Sequence, residues 1–578
     1  MVQLIEIMLE ERVISKDAIS TLVKSRPPKK VSIANLVKEN LVDLQTVEIF
    51  LAKKIRQGVI SLAHLEKIEG IDVTAIIEEV ASTLNIDFID LDEVEIDMRL
   101  FSQVPYKQLL KYHAIPIEES DLNIQIVFDD PLDMAAQDAI QRLFPKKPIR
   151  ISVARPKQIK QHLQRLEINE SIKGLVQDIR KDLNQEGRGD QNDESPAVLK
   201  LIDIILKSSI FAGASDIHIE ATEKSCIVRE RIDGMLRQSF TFDKDIFNPL
   251  SSRMKLLSNL DIAERRKPQD GRFSATVNQR EYDFRVSTLP IIQGESIVLR
   301  ILDKSKAMIK LEDAGMSTLN YNRFSEAIKA PYGIVLVTGP TGSGKTTTLY
   351  GAVNAIKDIK DKIITVEDPV EYQMAGLQQV NVKESVGLGF ADALKSILRQ
   401  DPDKIMIGEI RNTETLRIAI QAALTGHLVL STLHTNDAIS SISRILDMGI
   451  EEYLVSGALV AIQAQRLVRK ICENCKKETI LDPALLKDIQ KYLPPNPTFY
   501  KGAGCRECGH TGYVGREMIS EVLTVSEELA RMIAKVASKE ELTKQAEKEG
   551  FVTMFEDGVR KALEGKSTIE EIYRVARL

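Results

Sequence analysis

The feature that most narrows the possible folds of this chain is a glycine-rich turn, Gly339-Pro340-Thr341-Gly342-Ser343-Gly344-Lys345-Thr346. The run before it, Ile334-Val335-Leu336-Val337, reads as a buried strand, and the residues from Thr347 onward read as a helix. The turn matches the Walker A pattern in full. Its glycines let successive backbone N–H groups curl around phosphate oxygens, and the start of the helix adds the positive end of its dipole. Lys345 supplies a charge for the β and γ phosphates of ATP, and Thr346 a hydroxyl for Mg²⁺. The candidate nucleotide-binding residues are therefore 339–346 with Thr347 beside them. A turn that merely reversed the chain would have no need of the Lys-Thr pair.

From about 307 to 470, short apolar strands alternate with helical patterns, which argues for a parallel sheet in an α/β domain. Two of those strands end in acids. Ile363-Ile364-Thr365-Val366 leads to Glu367-Asp368-Pro369-Val370-Glu371, and Lys404-Ile405-Met406-Ile407-Gly408 leads to Glu409. Residues just past the strand C-termini of an open parallel sheet line its ligand crevice. Phosphoryl transfer to water needs one acid to hold Mg²⁺ and another to orient the attacking water. Either acid alone could be a helix cap; both beside a Walker A strengthen the catalytic reading.

The chain has five cysteines, too few and too unevenly placed for a disulfide framework. Cys472-x-x-Cys475 and Cys505-x-x-Cys508 have the spacing of a metal site. Four thiolates suit tetrahedral Zn²⁺, and a full sulfur set leaves no position for water, so the site should be structural. Cys226 lies in an alternating apolar segment and reads as a small buried hydrophobe.

Composition excludes several other classes. The chain has 578 residues, 43% apolar and 28% charged, which is neither disordered nor collagen-like. Its net charge is −6, aromatics make up 5% and Trp is absent, so a nucleic-acid translocase with a basic groove or stacking platform is disfavoured. No apolar run approaches the roughly 20 residues that cross a bilayer. Glu6, Glu10 and Glu11 are unlike a secretory leader, so a cytoplasmic protein, at most peripheral to a membrane, is expected.

Residues 1–69 carry a weak repeat of apolar pairs followed by Ser15, Asp43 and Ser61, each placed to cap the next helix. The spacing fits helical hairpins, more often partner-docking than catalytic. Residues 70–168 mix helix and strand, with Ile124–Phe128 the clearest strand. Residues 169–196 are expected to form a flexible linker around the polar stretch 184–195. An α+β domain over 197–306, the α/β domain over 307–470, a tetracysteine subdomain over 471–515 and a helical tail over 516–578 complete the chain.

These motifs resemble those of the type II secretion and type IV pilus assembly ATPases. In that family's order come the Walker A turn, the Glu367–Glu371 Asp box, the Walker B stretch from Leu398 to Glu409, and the His box running from Thr425-Gly426-His427 to His434-Thr435-Asn436-Asp437. Upstream, the resemblance takes in Gly213–Glu220, Arg229–Gly234, Pro268–Arg272 and Arg285–Pro290. Downstream it continues through Gln465-Arg466-Leu467-Val468-Arg469-Lys470 and the four cysteines. It covers about 196–520 closely and 70–168 more loosely.

The resemblance implies a RecA-like P-loop core preceded by an α+β domain, N-terminal helical and α+β modules, and a zinc-binding insertion. It implies a homo-hexameric motor that turns over ATP to drive pilins out of the inner membrane. Such a motor works on the cytoplasmic face with an inner-membrane platform protein and a membrane-docking protein, and with no nucleic acid. By position, Lys345 and Thr346 match the phosphate and Mg²⁺ ligands, Glu409 a support for Mg²⁺, and Glu371 the water-activating glutamate. His434 matches the histidine that senses the γ-phosphate, and Arg285 and Arg300 match arginines delivered to nucleotide. His427 has weaker claims to a role, and His218 reads as structural. Retraction motors are the near alternative, but they lack the cysteine insertion and the long N-terminal region. Related motors that bind cyclic di-GMP carry Arg-Leu-Gly where this chain has Gln3-Leu4-Ile5 and Val31-Ser32-Ile33, so tight binding of that messenger is not expected.

Overall fold

The computed structural model describes all residues except 1, 25–31, 67, 69–70, 72, 92, 95, 102, 187–194, 304–309, 506 and 577–578. The chain forms two compact units, Met1–Leu201 and Ile202–Leu578.

The first unit begins with short helices whose starts follow the capping pattern. The Ser15 hydroxyl accepts from Ala18 N–H at 3.1 Å and the Asp43 carboxylate from Thr46 N–H at 3.0 Å. Ser61 departs from the expectation: its hydroxyl bonds His64 Nδ1 at 2.8 Å and leaves the backbone uncapped. Leu36, Leu51, Ile55 and Leu62 from these helices pack with Ile77 and Val80 in one buried cluster. Val31 lies outside the described residues. A four-stranded sheet follows, built from β1 (Asp87–Phe88), β2 (Ala114–Glu119), β3 (Ile124–Phe128) and β4 (Ile149–Val153) in the order β1-β4-β3-β2.

The linker expectation needs correction over its first half. Residues 169–186 belong to a long helix, Pro156–Glu186. Polar composition suggested a tether, but the charges are spaced as one-turn pairs, Glu170–Lys173 at 2.5 Å and Asp178–Lys181 at 3.0 Å, which support a solvated helix. Ile179 is buried and anchors that stretch. The polar residues 187–194 lie outside the described residues.

The second unit contains two large sheets. The first is six-stranded: β5 (Asp216–Ala221), β6 (Ser225–Ile232), β7 (Met235–Asp243), β8 (Gln269–Val277), β9 (Arg280–Ile291) and β10 (Gly294–Asp303), ordered β7-β6-β5-β10-β9-β8. Every neighbouring pair is antiparallel. Cys226 is fully buried on β6. Directly opposed residues share a face, so the register aligns Arg272, Arg285, Arg300, Asp216 and Arg231 as one transverse row. Along β9, inward Phe284 and Val286 alternate with the row's Arg285, as a half-buried strand requires.

The second sheet has seven strands: β11 (Gly333–Thr338), β12 (Ile363–Glu367), β13 (Gln378–Asn381), β14 (Lys404–Ile407), β15 (Leu428–Leu433), β16 (Leu459–Ile471) and β19 (Tyr513–Thr524), ordered β13-β12-β14-β15-β11-β16-β19. All pairs are parallel except β16 with β19. Every residue of β11, β12 and β15 is buried, as helices on both faces demand. β11 therefore lies inside the sheet with the acid-ending strands on one side and β16 on the other.

The expected boundaries differ from this sheet in one respect. β19 comes from 513–524, so the cysteine segment is an excursion between two paired strands of the core, and the helical tail starts later. Met518–Leu523 is a continuous buried run, covered on both sides, and so carries no strand-like alternation. The excursion holds β17 (Lys476–Thr479) paired with β18 (Phe499–Gly502).

Candidate nucleotide site and tetracysteine cluster

The Walker turn joins β11 to the helix Lys345–Ile356. Gly344 sits at the helix N-cap with φ +87, a left-handed conformation that a side chain would strain. A Cβ at Gly339 would stand 2.6 Å from both the Gln465 carbonyl oxygen and Ser343 Oγ, so this position has no room for one. The fully buried Gln465 holds the turn from β16: its Nε2 donates to the Ser343 carbonyl at 2.8 Å, and its Oε1 accepts from Thr348 Oγ1 at 2.8 Å. Lys345 Nζ donates to the carbonyls of Gly339 at 2.9 Å and Pro340 at 3.1 Å. Burial lowers the Lys345 pKa, and nearby Glu409 opposes that shift. Thr346 and Thr347 are exposed, and Ser343 Oγ is buried without a partner. Exposed hydroxyls, a primed lysine and an unsatisfied buried hydroxyl fit a bound polyphosphate.

The acids separate by environment. Glu367, the last residue of β12, is buried and accepts from Thr365 Oγ1 at 2.5 Å and from the Tyr350 hydroxyl, so it is committed to the interior. Glu371 is reached instead by Arg285 of β9. The guanidinium grips it with two bonds, Nη1 to Oε1 at 2.9 Å and Nη2 to Oε2 at 2.6 Å. Gly408 lets Glu409 leave β14 closely against β12, since its Cβ would meet the Val366 carbonyl oxygen and Glu367 Cα at 3.3 Å. Glu409 accepts from Arg411, and its other oxygen lies 3.4 Å from His434 Nε2. Arg411 also stands 3.7 Å from Asp368.

The structure thus brings Lys345, Glu409 and His434 to one edge of the sheet, and joins Glu371 to Arg285. Arg300 is placed differently: its Nε donates to Asp216 at 3.0 Å within the antiparallel sheet, and its side chain is 57% exposed. His427 caps its own helix end, with Nδ1 3.0 Å from the Ala422 carbonyl. His218 is mostly buried on β5.

The His-box loop lies over the end of β11. Thr435 N–H donates to Thr338 Oγ1 at 2.9 Å, and Arg466 Nη2 donates to Asn436 Oδ1 at 3.0 Å. The loop is moored from below by Glu521 of β19. This carboxylate accepts from Ala438 N–H at 2.7 Å and Met554 N–H at 2.8 Å, so it ties the starts of two helices together. Burial pushes its pKa up to about 7. Gln465, Asp216 and Glu521 were not singled out by sequence reasoning. Gln465 and Asp216 sat inside recognised motifs, whereas nothing local marks Glu521.

The four cysteines 472, 475, 505 and 508 bring their sulfurs within 4.8 Å of one another. Cys472 and Cys505 are 3.8 Å apart, Cys475 and Cys508 3.9 Å, and Cys505 and Cys508 3.8 Å, sulfur to sulfur. A tetrahedron with Zn–S bonds of about 2.3 Å has edges of about 3.8 Å, so these three separations match a tetrahedral zinc site. Backbone N–H groups of Gly504, Cys505 and Gly512 point at Cys475 and Cys508 sulfurs at 3.1–3.3 Å. Burial alone would raise the Cys508 thiol, but the N–H groups of Cys505 and Gly512, with the neighbouring Cys505 and Cys475 thiols, outweigh it and bring the pKa to about 7.

Comparison with known proteins follows the same lines. The family model described as type II/IV secretion system protein matches residues 190–574, and that of the MshEN domain matches 84–171. The type IV pilus assembly ATPase PilB of Myxococcus xanthus is 38% identical over 554 residues, which cover 93% of this chain and 97% of that protein. Type II secretion system protein E of Pseudomonas aeruginosa is 47% identical over 390 residues, 67% of this chain and 77% of that one. In fold, the chain is similar to the solved ATPase DotB of Legionella pneumophila, with a TM-score of 0.50 at 20% identity over 67% of this chain and 97% of that one.

Proposed function

This chain belongs to the type II/IV secretion system family of ATPases, and from that premise we propose that it is a homo-hexameric motor hydrolysing ATP to ADP and phosphate to power assembly of a type IV pilus or a type II secretion pseudopilus. Its work is the extraction of pilins from the inner membrane. No described helix is long and apolar enough to cross a membrane, so the proposed motor acts through an inner-membrane platform protein and a membrane-docking protein at the cytoplasmic face. The helices of 1–69 are the proposed docking module. Nucleic acid has no part in this reading.

Each charged group then has a task. Lys345 and the backbone N–H groups of 339–346 bind the phosphates. Thr346 and Glu409 are the residues that would hold Mg²⁺, which on binding neutralises charge on the transferring phosphoryl group. Glu371 orients and deprotonates the attacking water. His434, beside Glu409, reads the presence of the γ-phosphate. Cys472, Cys475, Cys505 and Cys508 hold a structural Zn²⁺.

The observation that carries the proposal is the Arg285–Glu371 pair, which links the antiparallel sheet to the second acid of the ATPase core. A carboxylate gripped by both guanidinium nitrogens is a poor base. A γ-phosphate offers Arg285 a more highly charged partner, and transferring the guanidinium to it frees Glu371 for water while bringing the antiparallel sheet toward the nucleotide. Hydrolysis removes that partner and reverses the exchange, so chemistry becomes domain movement. Arg300, once drawn from Asp216, would complete the charge. The test is phosphate release by the full chain across a protein-concentration series, with mass measured by light scattering. Specific activity should rise as hexamers form. A demonstrably monomeric sample at the full rate would refute the ring requirement.

A further inference from the structure

We propose that Arg466 is a further phosphate-binding residue of the nucleotide site, placing a second cation beside Lys345 on the β16 side of the Walker turn. The inference rests on the nucleotide-binding reading above and names a residue that reading does not use.

Position comes first. Thr338, the last residue of β11, pairs with Ala464 of β16, so Arg466 lies just beyond the end of the Walker strand. Its neighbour Gln465 already bonds the turn through the Ser343 carbonyl. Arg466 is close enough to Lys345 for its charge to disfavour the protonated lysine, against the pull of Glu409, while Glu521 and Asp437 attract Arg466 from its other side. Two cations side by side cost free energy unless an anion is shared between them.

The partners of Arg466 point the same way. Among the described residues its hydrogen-bond partner is the neutral amide of Asn436, and its buried Nη1 has none. A buried N–H on a charged group left unsatisfied is expensive, about 1–3 kcal/mol or more. The nearby acids are already engaged. Glu521 accepts from the N–H groups of Ala438 and Met554, and Asp437 from Ser440 and Lys539. Among the described residues Lys345 likewise donates to carbonyls, with Glu409 near but not bonded to it. A pair of cations with neutral acceptors, at the turn whose backbone is shaped for phosphate, is a site awaiting negative charge. Because Arg466 also holds Asn436, an anion between the two cations would fix the His-box loop as well.

The experiment measures ADP affinity by calorimetry for the full-length parent, Arg466→Gln and Arg466→Lys, with Lys345→Ala as the reference for a lost phosphate contact. If the parent itself binds no ADP, the nucleotide reading fails, and the arginine question falls with it. Given parent binding, Arg466→Gln should bind ADP about tenfold more weakly, because the amide can keep Asn436 but carries no charge. Arg466→Lys should recover at least about threefold of that loss. Unchanged thermal midpoints of the nucleotide-free variants would show that folding is intact. Affinity within about twofold of the parent in Arg466→Gln overturns the proposal, as does an Arg466→Lys variant no better than Arg466→Gln, which would leave only a bond to Asn436.

Discussion

The tetracysteine cluster and the nucleotide site are built on opposite plans. In the cluster the four sulfurs already stand within 4.8 Å of one another, N–H groups are aimed at those of Cys475 and Cys508, and all come from one excursion of the chain. In the nucleotide site two acids are held by arginines, Glu371 by Arg285 and Glu409 by Arg411, and Arg300 is held away on Asp216 of the antiparallel sheet. A structural metal site is most stable when nothing has to move. A motor's site has to move, and pairs that a phosphate can break are a means of storing one arrangement until ATP imposes another. The difference teaches which site should tolerate perturbation locally and which should transmit it.

The largest effect should come from the closed site. Replacing Cys472 and Cys475 together by serine should abolish stoichiometric zinc, removing about 10–16 kcal/mol of local organising free energy. Limited proteolysis should then cut within 476–512, while the turn at 339–346 still binds ADP. Protein purified without zinc yet resistant at that segment would erase the contrast.

Next is Glu371→Gln, which should retain ATP affinity and lose about 10²–10⁴ in turnover, the range typical of a lost general base. Near-parent phosphate release would remove Glu371 from the chemistry and leave its pair with Arg285 as a structural tie.

Smaller is the mooring of the His-box loop. Glu521 has its pKa raised from 4.5 to about 7 by burial, so the folded chain holds a proton that the unfolded chain has released. That contribution is fully present below pH 4.5, is lost between 4.5 and about 7, and amounts to roughly 3 kcal/mol. Stability of the parent should therefore fall more steeply from pH 5 to pH 8 than that of Glu521→Gln, read by denaturant unfolding. Parallel slopes would mean that Glu521 ionises normally. The smallest effect is a null one: calorimetry should detect no cyclic di-GMP binding at or below about micromolar Kd.

What could be read from the sequence was what is local in it. The Walker turn and the paired cysteines each carry their chemistry within a few residues. The two strand-end acids were visible beside them, but the separate roles expected of Glu371 and Glu409 came from the family resemblance. Arg285 and Glu371 stand 86 residues apart, and only the fold reveals that they touch. The bond between Asp216 and Arg300 escaped notice for the same reason, and Glu521 beneath Ala438 because a single acid in an apolar strand has no local signature. Ser61 had a capping position but a nearer partner in His64. Strand β19 was hidden because burial on both faces removed its alternation. The helix continuing to Glu186 was hidden because a solvated helix has the composition of a tether.

The exchange of Arg285 between Glu371 and the γ-phosphate is the centre of this account, and Arg285→Ala tests it most directly. Steady-state phosphate release and ADP affinity would be measured on the same preparation. If Arg285 acts on the transferring phosphoryl group, affinity should stay within a few fold while turnover falls by about 10³ or more. Turnover equal to or above the parent's, from a Glu371 simply set free, would contradict it.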